Sequence, residues 1–344
     1  MKAGYIPGLH GFRFFCAFLI IVTHSISGNN DLGVFIEIPL GMVGVSFFFV
    51  LSGFLITRGL LNSTTSGASI IRFFKNRALR IFPLYYIGLI YYVIFYWLEG
   101  LGNPLALVDS WYYWIYLQNI ADTFSWEKVG PSHYWSLAVE EHFYLFWPFI
   151  VLFCARKRLK TAIWGLVVLA SITRLYLLWI GAKPYYFTFS RLDDLCFGAL
   201  FALACNNGMS TTLFFRYRYV IGAVLAFFGA ILFFIGDSGE MVFQFFKYPV
   251  VSLIGLVLVQ EIIIRKDSRM VQNVLEFKWI KYGGEISYGL YVYNLLAGLI
   301  IQNYFPVLEN RVLVFVVIFA GTYLVSAVSF EFIEKPFLKL KKAI

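Results

Sequence analysis

Ten stretches of this chain stay apolar for about the 20 residues a helix needs to cross a bilayer. They lie near residues 9–27, 39–60, 81–98, 135–155, 161–181, 191–206, 219–236, 248–264, 282–304 and 312–331. Hydrophobic residues make up 60% of the chain and charged ones 14%, whereas a soluble domain carries about 25% charged residues. The expected fold is an all-α polytopic membrane protein: one integral membrane domain over residues 1–344, with about ten transmembrane helices. No low-complexity segment, internal repeat or soluble stretch long enough for a second domain stands out. Cys16, Cys154, Cys196 and Cys205 fall inside apolar runs. They read as small buried hydrophobes, so neither a disulfide framework nor a metal site is expected. The first run holds Arg13 and is followed by no small-residue cleavage site, so it is expected to stay in the mature protein.

Basic residues set the orientation. With ten crossings and a cytoplasmic start, 21 of the 28 Lys and Arg residues fall on the cytoplasmic side and 5 outside, with Arg13 and Arg174 within spans. Residues 105–120, "LALVDSWYYWIYLQNI", form an eleventh candidate, but they contain Asp109 and are dense in Trp and Tyr, the residues of membrane interfaces. A crossing there would put "RKRLK" (residues 156–160) outside, against the positive-inside rule. The segment is therefore expected to be interfacial or re-entrant, with both termini cytoplasmic and the chain in the cytoplasmic membrane. The net charge of +9 is then mostly topogenic and does not argue for a nucleic-acid partner. Membrane lipids, including anionic headgroups, are the expected neighbours of these cations; the oligomeric state is left open.

Some polar groups are not explained by orientation. The first run, "GLHGFRFFCAFLIIVTH", carries Arg13 and His24 with ten residues between them, a separation of roughly 16 Å along a helix and close to three full turns. They share one face. Either they snorkel to opposite headgroup layers, or the stripe faces something other than lipid. "HYWSLAVEEHFYLFWP" places Glu140 and Glu141 inside a span at a similar depth to His24, where a carboxylate is a functional candidate by default. Arg191 and Asp194 in "SRLDDLCFG" lie three residues apart and project from one helix face, as a stabilising ion pair or as substrate contacts. Arg77 and Arg80 in "RFFKNRALRIFP" are an orientation signal or, since guanidinium forks match phosphate oxygens, an anion site. Gly41, Gly44, Ser52 and Gly53 in the second run suit close helix packing or the wall of a narrow tunnel.

Taken together, these residues resemble the membrane acyltransferase family 3, multi-span O-acyltransferases that decorate bacterial sugars. The resemblance covers nearly the whole chain. It rests on Arg13 and His24, "FFFVLSGFLI", the Arg77 and Arg80 pair ahead of "IFP", "WSLAVEE", "RLDDLCFG", "ISYGLYVYN" and the closing "FEFIEKPF". It implies ten spans, acyl-coenzyme A as cytoplasmic donor, and transfer of an acyl group, usually acetyl, to a hydroxyl of a carbohydrate or lipid-linked sugar. Arg72, Arg77 and Arg80 would hold the coenzyme phosphates. His24 would be the general base, with Glu140 orienting its ring or stabilising the imidazolium and Arg13 beside the acyl path. Direct transfer is expected, with an acyl-imidazole variant on His24 also open. Glu141, Arg191, Asp194, Tyr288 and Asn294 would contact substrate. Many relatives carry histidine where this chain has Asn294, so this position is not expected to titrate. Some relatives append an extracytoplasmic esterase-like domain; this chain shows none after its spans, so transfer is expected to finish in the membrane unit or on a separate protein. Two other classes remain: a secondary transporter or flippase without acyl transfer, and an acyltransferase with a cytoplasmic small-molecule acceptor.

Overall fold

A computed structural model describes residues 5–26, 40–63, 67–99, 108–126, 130–207, 218–234, 241–304 and 310–341. Among them every regular element is helical: α1 (Leu9–Ile26), α2 (Leu40–Leu61), α3 (Gly67–Glu99), α4 (Trp111–Trp114), α5 (Gln118–Thr123), α6 (Trp135–Phe153), α7 (Arg156–Trp179), α8 (Leu192–Asn206), α9 (Arg218–Phe234), α10 (Met241–Ile264), α11 (Lys278–Glu285), α12 (Ser287–Tyr304), α13 (Arg311–Ser329) and α14 (Lys335–Leu340). Short 3-10 turns at Ser132–Tyr134 and Phe189–Arg191 lead into α6 and α8. Two π turns, Val271–Leu275 and Phe330–Glu334, precede α11 and α14.

The chain is a multi-pass membrane protein. Among the described residues, six helices are long and apolar enough to cross a bilayer: α2, α3, α6, α7, α10 and α13 with its continuation through α14. The pair α11 and α12 also passes together, but bends by 79° at its break. Of the ten runs expected, α1 and α9 are shorter apolar helices. The run near residues 191–206 is α8, 15 residues long with Asp193 and Asp194 in its first turn. That helix is buried along most of its length, so its surroundings are protein and its polar groups find partners there.

The core forms around α2, which packs against α1, α6, α8 and α10. The approach to α8 is the tightest. A Cβ on Gly53 would strike the Leu195 main chain, and one on Gly198 would strike the Val50 carbonyl. Bare backbone on both sides is what lets the two helices touch. Gly44 lies in the same way on the Cys16 carbonyl of α1. Close packing therefore accounts for Gly44 and Gly53, whereas Gly41 and Ser52 reach cavity walls.

The segment expected near 105–120 is two short helices, α4 and α5, of 4 and 6 residues; residues 105–107 lie outside the described part. Neither helix is long enough to cross. The Tyr85 hydroxyl donates to the Tyr113 carbonyl at 2.6 Å and that of Tyr86 to Trp114 at 3.0 Å, pinning α4 to α3. Tyr116, between the two, has a positive φ of 61°, a conformation that strains a residue with a side chain. Its ring stacks on Tyr85 at 4.1 Å, and that packing holds it there. Gln118 of α5 then donates to the Tyr134 carbonyl at 2.8 Å, so this small unit fixes the turn that opens α6.

Candidate functional site

One cavity collects Arg13 of α1, Arg77 and Arg80 of α3, Glu140, Glu141 and Tyr144 of α6, Ser52 of α2 and Tyr288 of α12. Arg77 lies over the Tyr144 ring, 5.2 Å from its centre. Glu140 accepts from Ser52 at 2.7 Å and from Tyr144 at 2.8 Å. Among the described residues, none of the three guanidinium groups has a carboxylate within ion-pairing distance. Three like charges around one space favour an anion there. The space is narrow, about 90 Å³, well below the roughly 300–1,000 Å³ of a pocket that encloses a drug-sized ligand. Past the end of α14, Lys341 lies near enough to Arg80 and Arg77 to feel their charges. Burial first, and then the charges of Arg80 and Arg77, bring its ammonium down to about 8.

A second cavity, about 740 Å³, is walled by His24 of α1, His133 ahead of α6, Trp135, Tyr185, Tyr186, Tyr248, Gln244, Lys183 and Lys247. It has the size of a ligand pocket, and its aromatic side chains offer flat faces. Val45 and Tyr291 belong to the walls of both cavities. The two spaces share these side chains as a common wall, with Arg13 near one end of α1 and His24 near the other.

His24 is oriented by α12. Asn294, 1% exposed, donates its amide NH₂ to the main-chain carbonyls of Leu290 at 3.3 Å and Tyr291 at 2.5 Å. That fixes which way the amide points, and its oxygen faces His24 Nδ1 at 2.5 Å. An amide oxygen only accepts, so Nδ1 carries the hydrogen and Nε2 keeps its lone pair. The imidazole is thus held in the tautomer a base requires.

Several expected roles change with this geometry. Glu140 does not pair with His24; its hydrogen bonds go to Ser52 and Tyr144 in the arginine-lined cavity, and Asn294 holds the imidazole instead. Asn294 lies outside both cavity linings, and its contacts orient His24. Arg191 and Asp194 are fully buried and paired with each other. Arg191 also donates to Ser46 at 2.7 Å, and Ser252 donates to Asp194. Beside them Arg174 pairs with Asp193 at 2.5 Å. Neither Arg191 nor Asp194 lines either cavity. Their hydrogen bonds tie α7, α8, α2 and α10 together, and the Arg191 guanidinium lies over the Tyr185 and Tyr248 rings that line the wide cavity. Arg72 is exposed on α3 and also lies outside both linings. Glu141 and Tyr288 line the arginine cavity.

Three contributors were not singled out from sequence: Tyr144, which with Ser52 holds Glu140, Lys341, and His133. His133 was the most accessible of these, as one of only four histidines, placed two residues ahead of the "WSL" motif.

A family described as an acyltransferase domain matches residues 6–331. An O-acetyltransferase OatA of Staphylococcus aureus is 26% identical over 361 residues, covering 97% of this chain and 57% of that protein. A peptidoglycan O-acetyltransferase OatA of Listeria monocytogenes is 25% identical over 360 residues, covering 97% of this chain and 56% of the relative. The chain thus spans little more than half the length of these curated relatives. No solved structure matches it.

Proposed function

This chain belongs to the acyltransferase domain family, and we propose that it moves an acetyl group from acetyl-coenzyme A on the cytoplasmic side to a carbohydrate hydroxyl on the outer side. In this reading the chain crosses the cytoplasmic membrane ten times, with both termini inside. Arginine-rich surroundings suit the donor's phosphates. Arg77 and Arg80, with Lys341 beside them, bind these at the mouth, and the narrow cavity past Arg13 takes the thin acyl-bearing arm. The wide aromatic cavity takes the sugar. The observation that carries the reading is that two spaces of unlike size, one lined by three arginines and the other by aromatic rings, share Val45 and Tyr291 as walls along one helix, α1. The relatives named as O-acetyltransferases, one of them acting on peptidoglycan, support the acetyl group and the carbohydrate acceptor.

His24 supplies the base. A sugar hydroxyl is a poor nucleophile at neutral pH, and imidazole is suited to activate it. His24 Nε2 takes the hydroxyl proton as the oxygen bonds to the acyl carbon. The carbon–sulfur bond breaks, and the imidazolium returns the proton to the departing sulfur. Asn294 keeps Nδ1 occupied throughout. Glu140 lies across from the three guanidinium groups and offsets part of their charge, while Ser52 and Tyr144 hold its carboxyl in place.

The test uses purified protein in lipid with radiolabelled acetyl-coenzyme A and a bacterial glycan acceptor. Labelled acceptor with wild type and none with His24→Ala is expected. Replacing Arg77 and Arg80 together by Gln should weaken coenzyme A binding by about 10-fold or more and flatten its salt dependence. Near-wild-type transfer by His24→Ala, or unchanged coenzyme A affinity without the arginines, contradicts the proposal.

A further inference from the structure

The mechanism above uses one imidazole, but the wide cavity has two. His133 sits on the turn ahead of α6 with its side chain 4% exposed, and neither of its ring nitrogens has a hydrogen-bond partner among the described residues. The carbonyls of Tyr291 and Val292 come near the ring without meeting hydrogen-bond geometry. Leaving a buried donor unmatched costs about 1–3 kcal/mol, and such a group calls for an explanation. A core histidine that merely filled space would be expected to spend its N–H on a main-chain acceptor.

The ring is also held firmly. It packs edge-to-face against Tyr134 at 4.9 Å and Tyr291 at 5.1 Å. Its own carbonyl accepts from the Tyr291 hydroxyl at 2.5 Å, and that hydroxyl also meets Ser136 at 2.5 Å. The neighbouring Tyr134 carbonyl accepts from Gln118. Its third ring contact is His24 itself, 5.8 Å between centres and T-shaped. Any group reacting at His24 Nε2 must approach within about 3 Å of that nitrogen, which brings it beside the His133 ring.

We propose that His133 is a second catalytic residue of the transfer site, donating its N–H to the acyl carbonyl oxygen as negative charge gathers there. This rests on the acyl-transfer reading above. Attack by the hydroxyl turns the carbonyl oxygen into an oxyanion, and the arginines that could stabilise charge line the other cavity. A neutral imidazole carries one N–H in either tautomer. A donor already fixed in place, with only the poorly aligned carbonyls of Tyr291 and Val292 to compete for it, needs little rearrangement when that charge appears, the condition under which such a bond contributes most. Because the bond strengthens only as the oxyanion forms, its loss falls on kcat and spares KM.

The test compares His133→Phe, which keeps a ring in the Tyr134 and Tyr291 packing but has no donor, with His133→Asn and His133→Gln, whose amides each place an N–H near one of the ring nitrogens. In the lipid assay, His133→Phe should lower kcat by about 10²–10³-fold, with KM for donor and acceptor each changed less than about 3-fold. One amide variant should recover at least about 10-fold over Phe. A His133→Phe kcat within about 3-fold of wild type overturns the proposal, as does a loss carried by KM. Amides no better than Phe overturn it too. Should the ring replacement cost the fold, read as lost coenzyme A binding, the amides decide alone: one within about 10-fold of wild type supports the donor role, and equal large losses in both overturn it. Absence of transfer by wild type would instead overturn the function proposed above.

Discussion

His24 divides its two nitrogens between structure and chemistry. Asn294 Oδ1 holds Nδ1, leaving Nε2 with its lone pair on a ring that lines the wide cavity. Removing the amide should release the ring to rotate and exchange tautomers. Asn294→Ala is expected to lower kcat by about 10–100-fold with little change in KM, an effect typical of losing a group that orients a working histidine. Steady-state kinetics in lipid check this, and an unchanged kcat would mean the ring is held by its packing alone. Lys341 offers a different kind of reading. Its folded-state value of about 8 reflects burial and then the charges of Arg80 and Arg77. Bound phosphates would favour the charged form and raise that value. Coenzyme A binding should therefore take up a proton above about pH 8, and affinity should fall as pH rises through this value. Calorimetry in buffers of different ionisation heat measures the proton count. Lys341→Met should remove that uptake; a count that does not depend on Lys341 contradicts its place among the donor's contacts.

At the level of helices, the beginning of α1 depends on a latch outside the membrane. The Gly8 N–H donates to Glu276 at 2.6 Å, the Tyr5 hydroxyl at 2.5 Å, and Lys281 lies 3.1 Å away. Burial alone would raise the Glu276 carboxyl, but the Gly8, Tyr5 and Lys281 contacts outweigh it and hold it below the ordinary value of 4.5. A depressed carboxylate stabilises the fold above the unfolded value, and that contribution is lost as pH falls through the folded one. Glu276→Gln should cost about 1–2 kcal/mol at pH 7, seen as a lower melting midpoint. The gap to wild type should close as pH falls below about 4.5; a gap of constant size would mean that the carboxylate charge is not what holds the latch. The helices themselves were readable from composition where they are apolar for about 20 residues, as in α2, α6 and α10. They were less so where protein replaces lipid around them. In α8, Asp193 and Asp194 are matched by Arg174 and by Arg191, and no hydropathy pattern reveals that a charge 19 residues away lies beside it. α11 and α12 read as one run, yet bend by 79°.

Across the whole molecule, periodicity along α1 indicated that Arg13 and His24 share a face, and a pair of arginines one turn apart left an orientation signal and an anion site both open. What lies opposite them was not available from local spacing. Asn294 is 270 residues from His24, Glu140 is turned toward Ser52, which is 88 residues away, and His133 gains its meaning only from the ring it faces. Local sequence carries the elements; the pairing of distant ones decides which polar groups work together. If α1 joins a donor space to an acceptor space, transfer should cross a sealed bilayer. The most direct measurement places the protein in tight vesicles with glycan acceptor trapped inside and labelled acetyl-coenzyme A added outside. The trapped acceptor should become acetylated with wild type and remain unlabelled with His24→Ala. Acetylation only when donor and acceptor share the same side would contradict a route through the two cavities.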